Sequence, residues 1–312
     1  MAGARTLLIA LAAVAIAAAP VCDAVWRDTA RGRDLPVRIR MPAGTAKVPV
    51  VLFSPGLGGG IVGGTLWGQA WSARGLAVIH LEHPGSDAAV YLTPGTPDER
   101  RARVRAAASG VQLQARVADV GFVLDELARR PSEGACDLTR IDLARIGMAG
   151  HSMGAWTVQG VAGQRYYGTT PFLDSRIKAA IALSPSALTT ASLTDSFGGI
   201  TIPFLSITGT ADGTPRIVAE ARGESSTETP EAQRIGPFTG MAPGGKYLLV
   251  FKDGDHMVFA GNLRRAPVGP DAHIQGVTAA FTTAFWAATL LGDAAALKAG
   301  PKLAPGDRFE AK

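Results

Sequence analysis

Apolar positions along the chain fall into two kinds of segment that alternate. Short continuous runs are the first kind: Val48 to Phe53, Leu76 to Leu81, Ile146 to Gly150, Ile177 to Leu183, Phe204 to Thr208 and Tyr247 to Phe251. Strands buried on both faces read this way, without polar alternation. Longer segments carry apolar residues at helical spacing: Leu66 to Arg74, Gly110 to Arg130 (Val117, Val120, Val123, Leu124, Leu127) and His273 to Leu291. Strands alternating with helices predict an α/β fold, a mainly parallel, doubly wound sheet with helices on both faces. In such a sheet chemistry gathers at the carboxyl ends of the strands. Leu35 to Arg40 alternates apolar and charged residues and predicts an edge hairpin over 28–40. Pro36 suits an edge strand because it cannot donate to a ladder. Glu82 to Pro97 reads as a long loop, and the polar tail after Gly292 as loosely held.

Composition agrees with one large domain. Hydrophobic residues make up 47% of the 312 positions and charged residues 18%, enough for a sizeable core. The start of the chain is different. Arg5 precedes an apolar run, Leu7 to Ala19, that is too short to span a bilayer comfortably, and Cys22-Asp23-Ala24 supplies small residues at a cleavage site. Residues 1–24 are therefore expected to be a signal peptide cut after Ala24. Residues 25–312 are expected to form a single domain, exported to the periplasm or outside the cell, with no stable membrane span once the leader is removed. Losing Cys22 would leave Cys136 alone, so no internal disulfide is expected. The net charge of +5 is a mild excess. Arg100, Arg101, Arg103 and Arg105, beside Asp98 and Glu99, read as a solvated helix face, and nothing suggests nucleic acid.

The chemistry centres on Gly150-His151-Ser152-Met153-Gly154, between the run Ile146 to Ala149 and a helical segment. A serine at the apex of such a strand–turn–helix is held in a strained conformation with its hydroxyl clear of the sheet, and the glycines let neighbouring backbones pass. Serine needs a base to become a nucleophile. Of the five histidines, His80 and His83 precede the serine, His151 is too close to it, and His273 opens the last helix. His256 follows the Tyr247–Phe251 run on a glycine-containing loop and is the candidate base. The candidate carboxylate is Asp212, just after the Phe204–Thr208 run. It sets the order Ser, Asp, His, and a carboxylate there would fix the imidazole tautomer. The expected oxyanion donors are the backbone N–H groups of Met153 and Leu57, the latter in the glycine-rich loop after Phe53, with Gly58 as the second choice. No metal or cofactor is implied. Trp67, Trp71 and Trp156 read as core residues.

With these motifs the chain resembles the α/β-hydrolase superfamily, and within it bacterial dienelactone-hydrolase-like and platelet-activating-factor-acetylhydrolase-like serine esterases. The features that carry the resemblance are Arg31 to Val37, Phe53 to Gly58, His83-Pro84-Gly85, Gly150 to Gly154, Asp212 and Asp255 to Phe259. The resemblance implies an α/β-hydrolase fold, a Ser152–Asp212–His256 triad with Leu57 and Met153 as oxyanion donors, and an acyl-enzyme route. The expected substrate is a small-molecule or polymeric ester. Dienelactone hydrolases use a cysteine nucleophile, which Ser152 replaces. Cutinase-type polyester hydrolases share the Gly-His-Ser-Met-Gly motif, but the aromatic clamp they often present is Ser186 here. A polyester hydrolase is the alternative reading, a peptidase or amidase comes next, and a non-catalytic binding protein comes last. Ser184 to Thr201 is too short for a lid domain, which predicts an open cleft. The polar, Gly/Pro-rich stretch from Arg222 to Gly245 reads equally as a cleft wall or a surface loop.

Overall fold

The computed structural model describes residues 19–187, 191–222, 229–262 and 270–312. Most of the expected signal peptide, residues 1–18, lies outside the described residues.

The strands are β1 (Val21–Asp28), β2 (Arg33–Arg40), β3 (Val48–Ser54), β4 (Ala77–Leu81), β5 (Ser132–Glu133), β6 (Cys136–Asp137), β7 (Ile141–His151), β8 (Ile177–Leu183), β9 (Phe204–Ala211), β10 (Lys246–Asp255) and β11 (Arg308–Ala311). Nine of them form one sheet in the order β1-β2-β4-β3-β7-β8-β9-β10-β11, and β5 and β6 form a small hairpin. The six strands from β4 to β10 in that order are mutually parallel, while β1, β2 and β11 run antiparallel to their neighbours. The helices are α1 (Thr65–Ala73), α2 (Ala89–Leu92), α3 (Pro97–Ala107), α4 (Gly110–Arg129), α5 (Met153–Ala162), α6 (Leu193–Phe197), α7 (Arg216–Arg222), α8 (Pro230–Gly240) and α9 (Asp271–Leu290). Among them α2 breaks the stretch expected to be a plain loop.

The continuous apolar runs are explained by two cores, one on each side of the sheet. Val50 and Leu52 point into the core covered by α4 and α5, while Val51 and Phe53 point into the core covered by α1 and α9. Successive strand residues alternate faces, so a strand covered on both sides must be apolar throughout. Trp67 and Trp71 are fully buried in the second core, as expected.

Three expectations are corrected at the sheet margins. First, the hairpin is longer and begins earlier: β1 starts at Val21, inside the segment expected to leave with the leader. Cys22 is bonded to Cys136, Asp23 takes a two-point hydrogen bond from Arg38 (2.7 and 2.6 Å), and Trp26 is buried. The expectation of no internal disulfide is corrected for the chain with these residues in place, in which Cys22 pairs with Cys136. Second, Pro36 is not on an edge strand, since β2 lies between β1 and β4. Its carbonyl accepts from Glu82 N–H (3.0 Å), so its nitrogen also faces the β4 side, beyond the last β2–β4 pair, Val37 with Leu81. Proline cannot return that bond, and the β2–β4 ladder ends there. Third, the tail is not loose. Strand β11 closes the far edge against β10, and Phe309 lies on Tyr247 (ring centroids 6.2 Å) and against Phe281 (5.1 Å).

The disulfide spans 114 residues of sequence and pins the first strand to the β5–β6 hairpin. Closing a loop of that length should stabilise the fold by about 4–5 kcal/mol through loss of unfolded-state freedom. Cys136→Ser is expected to lower the unfolding free energy by about 3–5 kcal/mol in urea titration. An unchanged transition midpoint would contradict this role.

Candidate active site

Strand β7 runs directly into α5 with one residue between them, Ser152, at φ 56 and ψ −116. A non-glycine residue there is strained and persists only when its surroundings hold it. One such hold is the Ser152 N–H, which donates to the Leu183 carbonyl of β8 (2.9 Å). Another is close packing. A Cβ on Gly154 would overlap the Ser54 carbonyl, and one on Gly150 would overlap the Gly154 backbone. Both glycines are therefore required by contact, not by turn geometry alone.

The three expected side chains come together in the expected order. Ser152 Oγ lies 2.8 Å from His256 Nε2, and His256 Nδ1 lies 2.7 Å from Asp212 Oδ1. With Nδ1–H donating to the carboxylate, Nε2 is free to accept from the serine hydroxyl. Asp212 follows the end of β9 and His256 the end of β10. These strands are parallel neighbours, which brings their carboxyl ends to one side. The other Asp212 oxygen accepts from Thr208 Oγ1 (2.8 Å). Asp212 is fully buried. Burial is the largest influence on its carboxyl and acts to raise the pKa. The hydrogen bond from His256, the charge of Arg234 and the Thr208 hydroxyl outweigh it and hold the group below the usual carboxylate value.

The other histidines are structural. His151 turns beneath the elbow, and its Nε2 donates to the His256 carbonyl (2.8 Å), bracing the loop that carries the base. His80 bonds the Gly63 carbonyl (2.8 Å), His83 lies among buried polar groups, and His273 pairs with Asp307 (2.8 Å). Of the backbone donors expected to face an oxyanion, the N–H groups of Leu57 and Met153 meet no acceptor among the described residues, whereas Gly58 N–H is spent on the Ser86 carbonyl (2.8 Å). That favours Leu57 over Gly58.

Two hollows meet at Ser152. A small one, about 40 Å³, is lined by Leu57, Met153, Trp156, Ser186, Val218 and Arg234. A larger one, about 570 Å³, runs along residues 55–63 past Tyr91, Leu92, His256 and Met257. Trp156 is buried against Leu113 and Met153, as expected of a core residue, and also forms a wall of the small hollow.

Arg234 was not visible as a site residue in the sequence. It sits on α8, in the stretch that read equally as wall or loop, and it is almost fully buried. Its Nε donates to the Asp212 carbonyl (2.9 Å) and lies 3.3 Å from Asp212 Oδ1, and its Nη1 donates to Ser186 Oγ (2.8 Å). Arg116 on α4 was missed as well, and it too is fully buried. The only signal for either is a lone arginine in a segment with apolar helical neighbours, and solvated arginines look the same.

No protein-family model matches the chain, and no curated protein matches it. Solved structures do. The 2,6-dihydroxy-pseudo-oxynicotine hydrolase is similar with a TM-score of 0.54 at 15% identity, over 88% of this chain and 69% of that chain. The likeness shows the fold, which is the α/β-hydrolase fold.

Burial holds His80 and His83 down to about 4 and His151 to about 3. Unfolding returns each to about 6.5, so the unfolded chain binds more protons between those values. Their contribution to stability is full above about 6.5 and is lost as pH falls toward the folded values. The thermal midpoint is expected to drop by several degrees between pH 6.5 and 5. A midpoint constant across that window would contradict the assignment.

Proposed function

We propose that the chain is a serine carboxylic ester hydrolase that works through an acyl-enzyme. One observation carries the reading: a serine in a strained strand–helix turn, at the mouth of a cleft, is joined through an imidazole to a buried, charged carboxylate. In the proposed cycle Ser152 Oγ attacks the ester carbonyl carbon while its proton passes to His256 Nε2. The negative charge that develops on the carbonyl oxygen is met by the Leu57 and Met153 N–H groups. The C–O bond to the alcohol then breaks as His256 returns the proton to the leaving oxygen. Water repeats the sequence and frees the acid. Asp212 keeps the imidazole in the tautomer this requires and stabilises its cation.

The two hollows support an assignment of sides. The leaving oxygen must lie near His256 Nε2, and His256 lines the larger hollow, so the alcohol belongs there. At about 570 Å³ it falls within the usual range of small-molecule sites. The acyl group is left with the hollow of about 40 Å³, room for roughly three waters. We therefore propose esters with a short acyl group and a bulky alcohol, small or polymeric. The Cys22–Cys136 bond supports an oxidising compartment, periplasmic or extracellular, as the place of action. A mature chain that keeps this bond must begin at or before Cys22.

Ser152→Ala is expected to reduce hydrolysis of p-nitrophenyl acetate by at least about 10³-fold with the thermal midpoint unchanged. Activity retained in that variant would remove the serine mechanism. Across p-nitrophenyl esters, kcat/KM is expected to fall by roughly tenfold or more once the acyl chain exceeds about four carbons. A rate that climbs to octanoate would refute the assignment of sides.

A further inference from the structure

Beneath the site lies a second Ser–His–Asp chain. Ser54 Oγ is 3.0 Å from His83 Nε2, and His83 Nδ1 is 3.0 Å from Asp119 Oδ2. All three residues are fully buried, and neither Ser54 nor His83 lines a hollow beside Ser152. No substrate reaches this serine.

Its neighbour Arg116 suggests what it does. Arg116 is buried and spreads its donors over several backbone segments. Its Nη2 donates to Ser54 Oγ (2.9 Å) and to the Pro55 carbonyl, its Nη1 to Ser86 Oγ (2.8 Å), and its Nε to Thr157 Oγ1 (3.0 Å). Thr157 in turn donates to the Met153 carbonyl (3.2 Å). One guanidinium thus grips the segment leading to Leu57 and, through one hydroxyl, the first turn of α5 that carries Met153. The hydrogen-bond directions close consistently. Arg116 donates to Ser54, the Ser54 hydroxyl donates to His83, and His83 Nδ1–H donates to Asp119. The Asp119 charge is also met by Arg31 (2.8 Å) and Arg33 (2.9 Å). His83 is held neutral by burial, as this chain of donors requires. Burial lowers Arg116 to about 9, which leaves it cationic at neutral pH.

We propose that Arg116, anchored by Ser54–His83–Asp119, is a positioning residue that sets the spacing of the Leu57 and Met153 N–H groups. The proposal rests on the ester-hydrolase reading. Arginine suits the role because its planar fork has several donors at fixed angles, which a lysine ammonium cannot match. The oxyanion forms only as the carbonyl becomes tetrahedral, so looser donors should slow the chemistry and leave ground-state binding nearly intact.

The test compares Ser54→Ala, Thr157→Val and Arg116→Lys with the wild type. None of these side chains lines the hollows at Ser152. Ser54→Ala and Thr157→Val are each expected to lower kcat for p-nitrophenyl acetate by roughly 10-fold or more, with KM within about threefold. Affinity for a short alkyl boronic acid, which forms a tetrahedral adduct on Ser152, is expected to fall in parallel with kcat/KM. The pH midpoint of kcat/KM should stay in place, because the His256–Asp212 pair is untouched. Folded Ser54→Ala and Thr157→Val with wild-type kcat and boronate affinity would overturn the proposal, even if Arg116→Lys fails to fold. So would losses that only track the folded fraction or that appear in KM alone. A wild type whose activity survives Ser152→Ala overturns the hydrolase reading and the proposal with it. An active wild type with a dead Ser152→Ala and unaffected Ser54→Ala and Thr157→Val overturns the proposal alone.

Discussion

Gly154 rests directly against the Ser54 carbonyl, with no room for a Cβ between them. The whole cleft depends on this backbone contact. It is possible because β3 and β7 are parallel neighbours, paired through Ser54 and Gly150, so that their carboxyl ends open on the same side. The contact fixes how far the loop after β3 stands from the elbow after β7. It therefore sets the loop that carries Leu57 beside the turn that carries Met153.

Electrostatics works in the same direction. A carboxylate as buried as Asp212 is costly unless donors and cations answer it. His256, Thr208 and Arg234 do so from three different elements. Asp119 meets the same problem in the same way, with His83, Arg31 and Arg33. The two Ser–His–Asp chains are alike in order and hydrogen-bond pattern. They differ in what lies beyond the serine: a cleft at Ser152, protein at Ser54. Hydrogen-bond order alone does not make a nucleophile; an open path to the hydroxyl is needed too.

Much of this was legible in the chain because it is written locally. The buried strands announce themselves as continuous apolar runs, and the elbow as a glycine-flanked serine. Asp212 and His256 stand just past two of those runs, where strand ends meet. Arg116 and Arg234 were not legible, because burial of an arginine depends on groups far away in sequence, such as Pro55 for one and Asp212 for the other. The first strand was hidden for another reason. Residues 21–24 fit the pattern of a cleavage site as well as that of a strand, and the partner that marks the strand, Cys136, lies 114 residues away. The tail looked loose because its only aromatic, Phe309, stands among mostly small and polar residues, and another anchor, Asp307, meets its partner His273 far away in sequence.

The most direct measurement is a rapid acid quench of the protein during turnover of a short-acyl p-nitrophenyl ester, followed by peptide mass spectrometry. The account predicts an acyl group on the peptide that contains Ser152, formed as fast as the first turnover and absent from every other peptide. Turnover with Ser152 unmodified and the acyl group on another residue, or turnover that persists in Ser152→Ala, would contradict it.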